Sequence, residues 1–134
     1  MTVRVCDVQS GQTIIGHLEG HTDTICSVSF TPDNTRLITC SEDHTVRVWD
    51  LETIWHNVHP SSEHTDWVLS VCFSKDNIRI ISGSLDGAVC MWDTDDGQLL
   101  LGPLEGHQYG VFTVDISPDS CRMISGSGDC TVRM

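Results

Sequence analysis

Histidine, aspartate and hydroxyl side chains recur together along this 134-residue chain. His21, His64 and His107 stand 43 residues apart, and so do Asp43, Asp86 and Asp129. These are the parts of a nucleophilic hydrolase: a hydroxyl attacks, an imidazole takes its proton, and a carboxylate orients the imidazole. Such an enzyme assembles the set once, around an exposed nucleophile and an oxyanion hole. Here the set repeats, with Trp49 and Trp92 following in phase. Repetition with an indole attached reads as structure, not as a reaction centre. His56, His59 and His64 invite a metal reading. Their connector is short and polar, and no cysteine is placed to complete four zinc ligands. No glycine-rich phosphate loop and no H-E-x-x-H stands in the chain. The expectation is no catalytic residue, no metal and no cofactor.

The elements that carry these residues recur with them. A fixed period in the forties marks a repeat architecture. Each unit opens on an alternating apolar run: Ile25, Val28 and Phe30; Val68, Val71 and Phe73; Val111, Val114 and Ile116. Their β-branched and aromatic content suits strands. A turn follows, as in Thr31-Pro32-Asp33-Asn34, where Pro suits the first central position and Asn tolerates the left-handed region. Second strands are predicted from Arg36, Arg79 and Arg122, and third strands from Thr45, Ala88 and Thr131. The connectors after Asp50 and Asp93 leave room for a fourth, outer strand. The position after each repeating aspartate holds His44, Gly87 and Cys130. If one left-handed turn is kept throughout, His44 and Cys130 are strained and the second unit has the most regular hairpin.

These features resemble the WD-repeat family of β-propellers. The likeness rests on Gly20-His21 and Gly106-His107, on the Ser-Gly-Ser-x-Asp runs ending at Asp86 and Asp129, and on Trp49-Asp50 and Trp92-Asp93. It covers essentially the whole chain. It implies an all-β fold of four-stranded antiparallel blades, their strands lettered a to d in chain order, forming a partial, open arc. It also implies a side-chain network in each blade: His21, Thr39, Asp43 and Trp49; His64, Ser82, Asp86 and Trp92; His107, Ser125 and Asp129. Ser41, Ser84 and Ser127 are the alternative hydroxyls. The donor and acceptor capacities of these types allow a fully satisfied buried chain. Finally, it points to a partner-binding face at the residues flanking the first apolar position of strand a and preceding the b–c aspartate. Those are Thr24, Cys26 and Glu42; Trp67, Leu69 and Leu85; Gly110, Phe112 and Gly128, with Tyr109 adjacent. Several are large apolar groups of the kind that anchor interfaces.

In chain order, Thr2 to Asp7 copies Thr45 to Asp50, with Cys6 in the Trp position. Residues 1–20 therefore read as the end of a preceding blade, with Gln12 to Ile15 as its last strand. Blade one is expected over 21–63, blade two over 64–106, and an incomplete third over 107–134. A closed ring needs more blades, so the reading expects a section of a longer propeller, or self-association through open blade faces. The connector 51–63 departs most from its counterparts, with Glu63 replacing the glycine before His64 and Trp55 placed to cover an outer edge.

Seven Lys and Arg against 19 Asp and Glu give a net charge of −12. Nucleic acid and anionic membranes bind mainly through cationic side chains, so neither is expected as a partner. Seven cysteines, an odd number without C-x-x-C, read as reduced thiols of an intracellular, cytoplasmic or nuclear protein. The function expected is a non-catalytic interaction scaffold for a protein or peptide. The alternative is a hydrolase or metal-dependent enzyme on a propeller.

Overall fold

The structure is a computed structural model. It describes residues 2–52 and 63–134, together with the backbone alone of 57–61. Trp55 and His56 thus lie outside the described residues, and of His59 only the backbone is described. The chain is all-β and forms four antiparallel sheets in sequence order. The first pairs β1 (Thr2–Cys6) with β2 (Thr13–Glu19). The second is the meander β3 (Ile25–Phe30), β4 (Arg36–Ser41), β5 (Val46–Asp50) and β6 (Asn57–Ser61). The third runs β7 (Val68–Phe73), β8 (Arg79–Ser84), β9 (Val89–Asp93) and β10 (Leu99–Leu104). The fourth holds β11 (Val111–Ile116), β12 (Met123–Ser127) and β13 (Val132–Arg133). The outer strand β2 runs on to Glu19, past the expected end at Ile15. The sheets do not close into a ring.

Register repeats as faithfully as sequence. Val28 faces Thr39, Val71 faces Ser82, and Val114 faces Ser125. Each first strand breaks register once near its start: between Ile25 and Ser27, Val68 and Ser70, Val111 and Thr113. An extra residue at such a bulge bends the strand and re-aims its side chain. The residues so placed are Cys26, Leu69 and Phe112, three of the expected partner-facing positions.

Packing explains why the second strand of each sheet is the most apolar. From Leu37 to Ser41 every residue of β4 is at most 1% exposed. One of its faces, Ile38 and Cys40, packs on Val68, Val71 and Phe73 of the next blade. The other meets Trp49 and Leu18 through Leu37. Ile81 and Val89 repeat the arrangement against Val111, Val114 and Ile116. A blade is thus a layer between two apolar interfaces. Val71 and Phe73 are buried, whereas their counterparts Val28 and Phe30 are about half exposed, because among the described residues that side of blade one meets just the two strands β1 and β2.

The loops are held by repeated polar devices. Thr31, Ser74 and Ser117 each accept the N–H and bond the carbonyl of the arginine five residues on. Asn34, Asn77 and Ser120 take the left-handed position of that turn. On the same side, Asn77 Nδ2 donates to Asp33 at 2.9 Å and Arg36 Nη1 to Asp95 at 2.7 Å, tying blade one to blade two. At the opposite end the b–c turn keeps one conformation throughout, with φ of 67° at His44, 84° at Gly87 and 65° at Cys130. The left-handed strain expected at His44 and Cys130 is therefore present, at a cost of about 1 kcal/mol each.

Candidate functional site

The histidine sets are built from three elements of each blade. The d–a loop brings the histidine, β4, β8 or β12 the hydroxyl, and the b–c turn the aspartate. In blade one, His21 Nδ1 lies 2.8 Å from Asp43 Oδ2 and Nε2 lies 2.7 Å from Thr39 Oγ1, to which Trp49 Nε1–H donates at 2.9 Å. Blade two repeats this with His64, Asp86, Ser82 and Trp92 at 3.0, 2.8 and 2.8 Å. In blade three His107 meets Asp129 at 2.9 Å and Ser125 at 2.8 Å. The indoles stand edge-on to their imidazoles. Burial holds the pKa of His21 below its usual value, against the opposing pull of Asp43. The neutral ring then donates from Nδ1 to Asp43 and accepts at Nε2 from Thr39, so each group donates to the next from Trp49 through Thr39 and His21 to Asp43. Burial opposes ionisation of Asp43, yet bonds from Thr45, the Thr22 N–H and His21 together bring its pKa to about 2.

Ser41, Ser84 and Ser127 do different work. Each accepts the N–H of the aspartate two residues on and donates to a carbonyl of the facing d–a loop: Asp23, Asp66 or Tyr109. Thr45 and Thr131 also bond their aspartates, which the residue pattern alone did not show. Chemically these sets are closed. Thr39 and Ser82 are 0% exposed and already hold an indole N–H and an imidazole. Those two hydroxyls are shielded from solvent, and both ring nitrogens of His64 are engaged, with Asp86 and Ser82.

What the network positions is the loop edge above it. The d–a loop and b–c turn are stitched by Glu42 N–H to Thr24 O, Leu85 N–H to Trp67 O and Gly128 N–H to Gly110 O, at 2.8–3.1 Å. Trp67 is 42% exposed, Leu85 37%, Tyr109 66% and Phe112 58%. Leu85 lies across Gly110 of the next blade, and Phe112 lies across Gly128 beside Tyr109; a Cβ on those glycines would sit 2.6 and 2.9 Å from the two side chains. The structure thus brings Leu85, Tyr109 and Phe112 around one glycine floor. Leu69 and Glu42 are half-buried, and Cys26 packs against the core between blades one and two.

Comparison with known proteins agrees with this geometry. The WD40 family model, described as WD domain, G-beta repeat, matches residues 12–50, 55–93 and 98–134. The chain belongs to the WD-repeat family. Each matched segment begins at an outer strand, and the first two end on Trp49-Asp50 and Trp92-Asp93. Curated WD-repeat relatives include Cell division control protein 4 of Saccharomyces cerevisiae, 50% identical over 30% of this chain and 5% of that protein. Transcription initiation factor TFIID subunit 5 of Drosophila melanogaster is 40% identical over 40% of this chain and 7% of its own length. Target of rapamycin complex subunit LST8 of Saccharomyces cerevisiae is 38% identical over 38% of this chain and 17% of its own. The chain therefore spans only a small part of these WD-repeat relatives.

Proposed function

We propose that this WD-repeat chain is a non-catalytic scaffold whose d–a and b–c loop face holds a protein or peptide partner. The observation that carries this reading is the exposure of Trp67, Leu85, Tyr109 and Phe112 on loops, and at the start of β11, that are pinned by part-buried hydrogen bonds. Exposed aromatic groups on a rigid base bind with little ordering cost. Two of the relatives carry the word subunit in their names, which supports a place in a protein assembly. In this reading the histidine, hydroxyl, aspartate and tryptophan sets are structural. Seven unpaired thiols suit a cytoplasmic or nuclear setting. The test is affinity capture with Trp67→Ser/Phe112→Ser, against Ile78→Ser on the opposite loops as control. Partners should be lost with the first variant and kept with the second; equal retention in both refutes the reading. The half-exposed Val28 and Phe30 and the exposed Val132 favour a second contact mode, self-association through blade faces. Light scattering that finds only monomers removes it.

A further inference from the structure

Blades one and three share a feature that blade two lacks. The guanidinium of Arg47 lies against Gly20, and that of Arg133 against Gly106; a Cβ on these glycines would sit 2.6 and 2.8 Å from the arginine nitrogens. Both glycines directly precede network histidines. In blade two the arginine position is Cys90 and the glycine position is Glu63. The blade's own guanidinium is gone, and a carboxylate stands in the glycine's place. Beside it is a hollow of about 370 Å³ between Glu63 and Thr65, the turn Asp86–Ala88, and Pro103 to His107. Asp86 is occupied by His64 and the N–H groups of Thr65 and Ala88. Glu63 and Glu105 are exposed and make no ion pair among the described residues.

The hollow adjoins the apolar group. Its turn residue Gly87 lies beneath the carbonyls of His107 and Tyr109, and Leu85 stands two residues before it. The loop face is also one-signed. Asp23, Glu42, Glu63, Asp66 and Glu105 line it along with the network aspartates, while all seven Lys and Arg lie in strands c, at the openings of strands b, or in an a–b turn. Among the described residues no Lys or Arg forms an ion pair with Glu63 or Glu105, although Arg133 lies against the neighbouring Gly106.

We infer that the loop face of blade two takes a cationic protein segment, one Lys or Arg side chain entering between Glu63 and Glu105 while a neighbouring apolar residue covers Leu85, Tyr109 and Phe112. This rests on the loop-face reading above and adds the chemistry of the partner. A one-signed field of this kind also raises the association rate of a cationic segment, and salt suppresses that gain.

The test is selection of random twelve-residue peptides displayed on phage against the full chain, its Glu63→Gln/Glu105→Gln variant and its Leu85→Ser variant. Both carboxylates are exposed, so their neutralisation leaves the fold intact, as a melting curve checks. Selected peptides should be enriched in Lys or Arg beside an apolar residue. Their binding should weaken about 5-fold in the carboxylate variant and fall with added salt, and it should also be lost in Leu85→Ser. Apolar peptides without cations, bound equally by the carboxylate variant, would overturn this inference and leave the loop-face reading standing. Peptides insensitive to Leu85→Ser would overturn both. Failure to select any peptide, or dimerisation of the chain that Leu85→Ser abolishes, would also overturn it.

Discussion

Replacing Thr39 by valine removes one hydroxyl and almost no volume. The structure assigns that hydroxyl two partners, the Trp49 indole N–H at 2.9 Å and His21 Nε2 at 2.7 Å. Both partners are at most 5% exposed, so water does not replace the lost bonds. Each stranded buried group costs about 1–3 kcal/mol, which puts Thr39→Val at about 2–6 kcal/mol. That is a large share of the roughly 5–15 kcal/mol that holds a domain folded. Trp49→Phe behaves differently, because Thr39 still donates to His21 and only one bond of about 0.5–1.5 kcal/mol is lost, besides the smaller ring. In the double variant the indole N–H that Thr39→Val strands is no longer there. The two losses should therefore fall short of additive by at least about 1 kcal/mol. Urea denaturation of the four proteins, read by circular dichroism, measures this. Additivity within about 0.5 kcal/mol, or a Thr39→Val cost below about 1 kcal/mol, refutes a shared hydroxyl.

Acid should weaken the fold in two stages. Burial lowers the pKa of His21, so its contribution is complete above about pH 6.5 and declines below it, where the unfolded chain takes up the proton first. Asp43, whose pKa falls to about 2, adds a second loss between about pH 4 and 2. Asp43→Asn should remove part of that lower limb of a stability–pH curve, leaving the shares of Asp86 and Asp129, whose carboxyls are also held below the usual range; an unchanged limb contradicts the assignment. Gly83→Ala should cost about 1–3 kcal/mol in a denaturation curve, since its Cβ would lie 2.6 Å from Val111 and 2.9 Å from Val114 across the blade interface. Gly16→Ala, with nothing nearer than 3.7 Å, should cost little, and equal effects would contradict the packing described. Maleimide labelling read by mass spectrometry should modify exposed Cys6, Cys121 and Cys130 quickly. Cys40 and Cys90 should label only on unfolding, because burial excludes reagent and pushes the Cys90 thiol up to about 12; rapid labelling of either contradicts the burial.

Much of this was legible in the residues because each blade repeats the same solution. The strands follow from apolar alternation, and the left-handed turn residues from Asn34 and Asn77. The hydroxyl of strand b was ambiguous by type, since Thr39 and Ser41 both lie on it two residues apart. Only the pairing register separates them, placing Thr39 opposite Arg47 and near Trp49 while Ser41 sits at the strand end against the loop. Contacts between blades were not legible. Arg36 reaching Asp95, Asn77 reaching Asp33, and Gly83 admitting Val111 depend on how neighbouring sheets stack, which no period of one chain states. Glu63 in the place of Gly20 was visible in the residues, but its link to Cys90 in the place of Arg47 was not, because it depends on Arg47 lying against Gly20.

Hydrogen exchange of the indole N–H protons, followed by nuclear magnetic resonance and assigned by single Trp→Phe variants, tests the central claim most directly. Trp49 and Trp92 should exchange only as the fold opens, since each donates to a buried hydroxyl, whereas Trp67 on the loop face should exchange nearly as fast as free indole. Fast exchange at Trp49 and Trp92, or protection at Trp67, would contradict the account.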